Sequence, residues 1–210
     1  MALKSAVFLD KDGTLVRDIP YNVDPSRMRL MPDAAASLRR LKEAGFLLVA
    51  VSNQPGVAFG FYNEDKVRFA FRHLYTLLAA EGVVLDAYGY CPHHPDADVP
   101  EYREQCACRK PAPGMLAAAA ERFGIDPASS WMVGDILDDV EAGNRAGCKS
   151  ILLMSGGETE WRPGAHRRPF RQVGSLIQAA DVVLANIGGQ ASGYRQSLEG
   201  VYKPALHQAR

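Results

Sequence analysis

Apolar residues in this chain follow two alternating rhythms. Short unbroken runs read as buried strands, and longer stretches with a single apolar stripe read as helices. The run Val7-Phe8-Leu9 closes on Asp10 and continues as Lys11-Asp12-Gly13-Thr14. It predicts a buried parallel strand that delivers a carboxylate to its open end. Residues 15–31 carry Pro20 and Pro25 and no sustained period, so they read as a loop or small flap over that strand end. Pro32-Asp33 opens a helix with Ala34, Leu38 and Leu41 on one face and Gly45 as its stop. A second strand over 46–51 ends in Ser52-Asn53-Gln54-Pro55-Gly56, and 63–81 is the clearest helix, with Val67, Ala70, Phe71, Leu74, Leu77 and Leu78 on one side.

A third strand over 84–90 leads into a segment, 91–108, that holds Cys91, His93, His94, Cys106 and Cys108. Pro113-Gly114 begins a helix that runs to about Phe123. The strand 131–134 again ends in a carboxylate, Asp135, and Asp138 or Asp139 starts a helix that Gly147 stops. A strand over 151–154 follows, then a short helix over 176–180 and an edge strand over 182–184. From Asn186 the chain is rich in Gly and Gln. Residues 1–186 are thus expected to form one domain and 187–210 an irregular tail.

Strand and helix patterns in alternation predict an α/β fold, a doubly wound parallel sheet with helices on both faces. Ligands in such sheets sit beyond the carboxyl ends of the strands. Asp10 and Asp12, Ser52 and Asn53, and Asp135 all fall there on separate strands, which predicts a single site. The 210 residues suffice for one domain with a real core, and 24 basic residues balance 24 acidic ones. That balance implies no strong pull toward nucleic acid or membranes. The chain has no apolar stretch of spanning length, and its amino terminus lacks a signal-peptide layout. The expectation is a cytoplasmic protein.

Two residues apart on an extended segment, Asp10 and Asp12 can face one reacting group, one as nucleophile or metal ligand and the other handling protons. With Asp135 they make an oxygen-rich pocket suited to a hard divalent cation, and Mg2+ is the usual choice beside a phosphate. Lys110 could supply a further positive charge, and Ser52 a hydrogen bond, to phosphoryl oxygens. Cys91 and His93, then Cys106 and Cys108 after twelve intervening residues, have the paired spacing of a closed, structural Zn2+ site. His94 is then a bystander, and the metal sets the position of Arg109 and Lys110, which follow directly. Cys148 reads as a small buried apolar residue.

Phe8-Leu9-Asp10-Lys11-Asp12-Gly13-Thr14, Ser52-Asn53-Gln54, Arg109-Lys110-Pro111 and Gly134-Asp135 with Asp139 resemble, in order, the four motifs of the haloacid dehalogenase (HAD) phosphatases, over residues 6 to about 155. The resemblance implies a Rossmann-like fold of HAD type. No segment is long enough for a separate cap domain, and the zinc loop stands as an insertion. It implies Asp10 as the nucleophile that forms an aspartyl-phosphate, and Asp12 as the group that protonates the leaving oxygen and then activates water. Ser52 and Lys110 would hold the phosphoryl group. Mg2+ would bind Asp10, the Asp12 backbone carbonyl and Asp135, with Asp139 a further candidate.

Cys-Pro-His-His-Pro followed by Cys-x-Cys-Arg-Lys-Pro is similar to the group of D-glycero-D-manno-heptose 1,7-bisphosphate 7-phosphatases and the related histidinol-phosphate phosphatases. In that group Asp18 to Tyr21, Ser52, Asn53, Gln54 and Pro55, and Arg109 with Lys110 would line the substrate pocket. The heptose enzymes commonly read Asn-Gln-Ser-Gly-Ile-Ala-Arg-Gly, where this chain has Asn53-Gln54-Pro55-Gly56-Val57-Ala58-Phe59-Gly60. Ile136 stands where a lysine often follows the fourth motif, and Pro20 where glycine is common. The implied reaction is Mg2+-dependent hydrolysis of a phosphomonoester, with the 7-phosphate of the heptose compound leading. Histidinol phosphate or another small phosphomonoester is the alternative. A zinc-stabilised binding protein without catalysis is the reading from a different class.

Overall fold

The computed structural model describes residues 3–159 and 161–187. Its first strand, β1 (Ala6–Leu9), is followed by α1 (Ala34–Glu43), β2 (Leu47–Asn53), α2 (Glu64–Ala80), β3 (Ala87–Cys91) and α3 (Gly114–Phe123). Then come β4 (Trp131–Gly134), α4 (Leu137–Ala146), β5 (Lys149–Leu153), β6 (Arg171–Val173) and α5 (Leu176–Ala185). Among the described residues the strands form one sheet in the order β3-β2-β1-β4-β5-β6, with every pairing parallel. Both faces of β1 are buried, as its unbroken apolar run requires. Val7 and Leu9 pack on one side with Leu38 and Leu41 of α1, Phe71 and Leu74 of α2 and Val183 of α5. Ala6 and Phe8 pack on the other with Met115 and Leu116 of α3 and Ala142 of α4.

Strand order reverses at β1, between β2 on one side and β4 on the other. A crevice opens at the carboxyl end of such a switch point. Residues 15–31 lie over it as a flap fastened by its own core residues. Leu15, Val16 and Met28 are buried, and the two arms pair through Arg17 N–H to Arg29 O (2.9 Å) and Met31 N–H to Leu15 O (2.9 Å).

Two expectations from the apolar pattern need correction. The segment 182–184 is no strand: it lies inside α5, where Leu176, Ala179, Ala180 and Val183 make one buried face at helical spacing. The edge strand is instead Arg171–Val173, a short polar stretch that only its pairing with β5 reveals. The third strand also begins later than the apolar run, because Val83 and Leu85 are buried in the core before pairing with β2 starts at Ala87. The expected tail falls almost wholly in 188–210, outside the described residues.

Candidate active site

Beyond Leu9 the chain leaves the sheet. Asp10 N–H is held by Val133 O (2.9 Å), and Lys11 O accepts from both Leu15 and Val16 N–H (3.0 Å each), closing a tight turn. The turn, rather than alternation along an extended strand, aims Asp10 and Asp12. Gly13 sits in the turn at φ +80°, and a Cβ there would lie 1.9 Å from Asp135 Oδ2. At Gly134 a Cβ would lie 2.2 Å from Asp139 Oδ2. Glycine at these two positions is what lets the carboxylates close on the end of β1.

Donor oxygens of Asp10, Asp135 and Asp139 lie within 4.8 Å of one another, all three residues buried. Lys110 Nζ enters this group from the opposite loop, 2.5 Å from Asp10 Oδ1 and 2.6 Å from Asp139 Oδ1, and it also donates to Val51 O (3.1 Å). Burial works against the Lys110 ammonium, but Asp10 and Asp139 outweigh it and hold its pKa above the ordinary lysine value. Burial pushes the Asp10 carboxyl well up, against the pull of Lys110 and with the push of the neighbouring carboxylates. Asp135 is pushed up to about 7, by burial first and then by Asp139. One ammonium therefore faces three crowded carboxylates, and a hard, oxygen-seeking divalent cation fits that donor set.

The Asp12 side chain stands apart from this cluster. Lys11 Nζ holds its Oδ1 at 2.6 Å and Gln54 Nε2 donates to its Oδ2 at 3.0 Å. The same Gln54 nitrogen donates to Ser52 Oγ (2.9 Å). Asn53 clamps the backbone of Lys110 in both directions, donating to its carbonyl and accepting from its N–H at 3.0 Å each. Asp12, Asp18, Tyr21, Asn53, Gln54 and Tyr62 are among the residues lining a cavity of about 290 Å³ beside the carboxylates. Tyr21, in the flap, has φ +55° and packs edge-on against Phe59 and Phe61, ring centroids 6.4 and 4.9 Å away. A left-handed backbone at a bulky residue is uncommon and clusters at functional sites.

Cys91, His93, Cys106 and Cys108 meet at the end of β3. Their sulfurs are 3.1–3.4 Å apart and His93 Nδ1 lies 3.4 Å from Cys108 Sγ. These separations are longer than any disulfide and shorter than the edges, about 3.8 Å, of a tetrahedron around an ion with 2.3 Å bonds, so the four donors already converge on one point. His93 turns its other nitrogen toward Glu104 Oε2, 3.8 Å away and beyond hydrogen-bond reach. His94 lies outside the cluster, its Nδ1 accepting from Asp96 N–H (3.1 Å) and its ring 4.8 Å from Phe59. Arg109 is tied to the cluster, its N–H pointing at Cys106 Sγ (3.4 Å) and its guanidinium at His93 O (3.4 Å).

A HAD-hydrolase-like family model matches residues 107–179. The D-glycero-beta-D-manno-heptose-1,7-bisphosphate 7-phosphatase of Pasteurella multocida is 41% identical over 156 residues, 74% of this chain and 84% of its own length. The enzyme of the same name from Escherichia coli K12 is 40% identical over 73% of this chain and 80% of its own. The crystal structure of D,D-heptose 1.7-bisphosphate phosphatase from B. bronchiseptica, complexed with magnesium and phosphate, superposes with a TM-score of 0.73. It is 30% identical and covers 87% of this chain and 99% of that one. This chain belongs to the HAD-like phosphatases.

In this HAD-like phosphatase, three contacts of the site go beyond what the motifs indicate. Lys11 is 1% exposed, and its partner is Asp12. The turn after β1 is what buries this lysine between two aspartates. Asp139 emerges as the anchor of Lys110. Tyr62, whose hydroxyl donates to Gln54 Oε1 (3.3 Å), carries no motif and follows Gly60 and Phe61 without any local signal.

Proposed function

We propose that this enzyme hydrolyses one phosphate of a small sugar bisphosphate through a phosphoester on Asp10, the leading substrate being D-glycero-D-manno-heptose 1,7-bisphosphate and the bond cleaved that to the 7-phosphate. The observation that carries it is Lys110 Nζ wedged between Asp10 and Asp139 with Asp135 alongside, at the switch point of the sheet. The relatives at about 40% identity bear names for that substrate. An Asp10 oxygen attacks phosphorus, the oxygen of the sugar departs with a proton from Asp12, and Asp12 then takes a proton from the water that frees phosphate and restores Asp10. Ser52 and Lys110 hold the phosphoryl oxygens, and Asp139 anchors Lys110. The carboxylates of Asp10 and Asp135 with the Asp12 backbone carbonyl would hold Mg2+, which would supply positive charge to offset the negative charge on the transferring phosphoryl group. Cys91, His93, Cys106 and Cys108 would hold a structural Zn2+. On this reading the enzyme works in the cytoplasm, as a monomer, on a small metabolite rather than nucleic acid or membrane. Among the described residues no helix is long and apolar enough to cross a membrane.

A panel of sugar bisphosphates and histidinol phosphate, ranked by kcat/KM, tests the substrate. A preference for histidinol phosphate would overturn the heptose reading. One observation favours that alternative: Phe59 stands where the heptose enzymes commonly carry arginine, and its ring joins Tyr21, Phe61 and His94 in an aromatic wall by the pocket. If the heptose reading is right, Phe59→Arg restores a charge-assisted partner for the distal phosphate. It should then raise kcat/KM for the 1,7-bisphosphate over a sugar monophosphate about tenfold. An unchanged ratio would count against a distal phosphate at this wall.

Magnesium affinity should depend on pH with a definite sign. Asp135 is pushed up to about 7 and Asp10 is raised as well, so toward lower pH the cation must displace protons that these carboxyls give up as the pH rises. Apparent Mg2+ affinity should therefore fall by about tenfold or more for each pH unit below 7. Calorimetric titrations at pH 6, 7 and 8 would read this directly. A flat profile would remove Asp135 from the cation's ligands.

A further inference from the structure

We propose that Gln54 and Tyr62 form a positioning relay that aims the Asp12 carboxylate at the leaving oxygen, and that Gln54 is not itself a substrate ligand. Gln54 is 3% exposed, and its functional atoms are all engaged within the protein. Its amide nitrogen donates to Asp12 Oδ2 at 3.0 Å and to Ser52 Oγ at 2.9 Å, while its carbonyl oxygen accepts from the Tyr62 hydroxyl at 3.3 Å. An amide has two N–H donors, and both are used. The orientation is fixed by chemistry: turned over, the amide would set its oxygen against the Asp12 carboxylate and leave the phenol no acceptor.

Tyr62 is built to stay in place as a donor. Its ring lies against Gly56, where a Cβ would come within 2.3 Å of it, so glycine is what allows the ring to reach Gln54. Burial, with Asp12 nearby, pushes the phenol up to about 12, and it remains a hydroxyl. Lys11 holds the second oxygen of Asp12. A short carboxylate anchored at both oxygens keeps one direction into the cavity, and the shared Gln54 nitrogen sets its distance from Ser52. Holding the group that, once protonated, gives its proton to the leaving oxygen at a fixed distance from the phosphoryl contact is the positional part of catalysis.

The relay rests on the reading of Asp12 as the group that protonates the leaving oxygen, and leaving-group dependence tests both. 4-Nitrophenolate departs without a proton, whereas phenolate gains from one, and the two esters share a shape. With saturating Mg2+, kcat/KM for phenyl and for 4-nitrophenyl phosphate would be measured in wild type, Gln54→Met, Tyr62→Phe and Asp12→Asn. The phenyl to 4-nitrophenyl ratio should fall about tenfold in Gln54→Met and about threefold in Tyr62→Phe, as expected when general-acid positioning is lost. A merely structural lesion lowers both esters alike. A ratio that falls in Asp12→Asn but stays at the wild-type value in both relay variants overturns the relay alone. A ratio unchanged in Asp12→Asn as well overturns the role of Asp12, and the relay with it. Should Gln54→Met fold poorly, Tyr62→Phe, which removes one oxygen atom, still decides the matter.

Discussion

Asp10→Asn should bring Mg2+-dependent phosphate release down by about 10⁴-fold or more, the scale on which an enzyme loses a covalent nucleophile. The protein should nonetheless become more stable. Asp10 is buried among Asp135 and Asp139, and its carboxyl is pushed above the ordinary value despite Lys110. A carboxyl whose folded pKa is raised costs stability once the pH passes the unfolded value, because the folded chain must then hold a charge it disfavours. Asparagine keeps the shape and drops the charge. Lys110 retains Asp139 at 2.6 Å and the Val51 carbonyl at 3.1 Å, so the ammonium is not stranded. Without added metal at neutral pH, we expect a gain of about 1 kcal/mol, or about 3 °C in melting temperature. Mg2+ should raise the melting temperature of wild type more than that of the variant, since one ligand is gone. Residual turnover within tenfold of wild type would mean that Asp10 is not the nucleophile.

Stripping the Cys/His cluster of metal, or replacing Cys106 by serine, should lower the melting temperature by about 10 °C, on the order of 4 kcal/mol, because folding of small metal-held segments draws on the binding energy of the ion. The segment from 92 to 108 has little to replace it. It contains one short helical turn, Pro100–Tyr102, and among the described residues its buried apolar side chains are Pro92 and Ala97. Its polar fastenings include Val99 N–H to Ala58 O at 2.9 Å and the Tyr102 hydroxyl to Glu64 at 3.0 Å. Arg109 leans on the cluster directly, through Cys106 Sγ and His93 O. Lys110 does not, because Asn53 clamps its backbone from β2. The expected kinetic signature is therefore a rise in KM larger than the fall in kcat. Elemental analysis of the native protein should find one zinc per chain, and a melting temperature and KM unmoved by chelation would refute the structural role.

How much of this was legible beforehand can be argued from particular residues. The unbroken runs Val7-Phe8-Leu9 and Trp131-Met132-Val133 announced strands buried on both faces, and the residue closing or following each one landed at the sheet's carboxyl edge. Paired spacing in Cys91, His93, Cys106 and Cys108 announced a cluster that the fold does assemble. Val182-Val183-Leu184 misled, since β-branched residues favour strands only when packing agrees. Here Leu176, Ala179, Ala180 and Val183 find α1 and the sheet at helical spacing. Arg171-Gln172-Val173 gave no warning at all, since a polar edge strand is defined by its neighbour, β5.

The chain's periodicity sufficed to specify a doubly wound sheet, the strand ends that bear carboxylates, and the metal-type cysteines, because each is a property of residues close together in sequence. Which polar group answers which was settled in three dimensions. Lys110 lies a hundred positions from Asp10 and twenty-nine from Asp139, and Tyr62 reaches Asp12 only through Gln54. Such pairings depend on where strand order places loop ends across the sheet, and on glycines that let carboxylates approach within contact of the backbone. Neither leaves a local trace, since a buried lysine or glutamine has the same composition as an exposed one until its partner arrives.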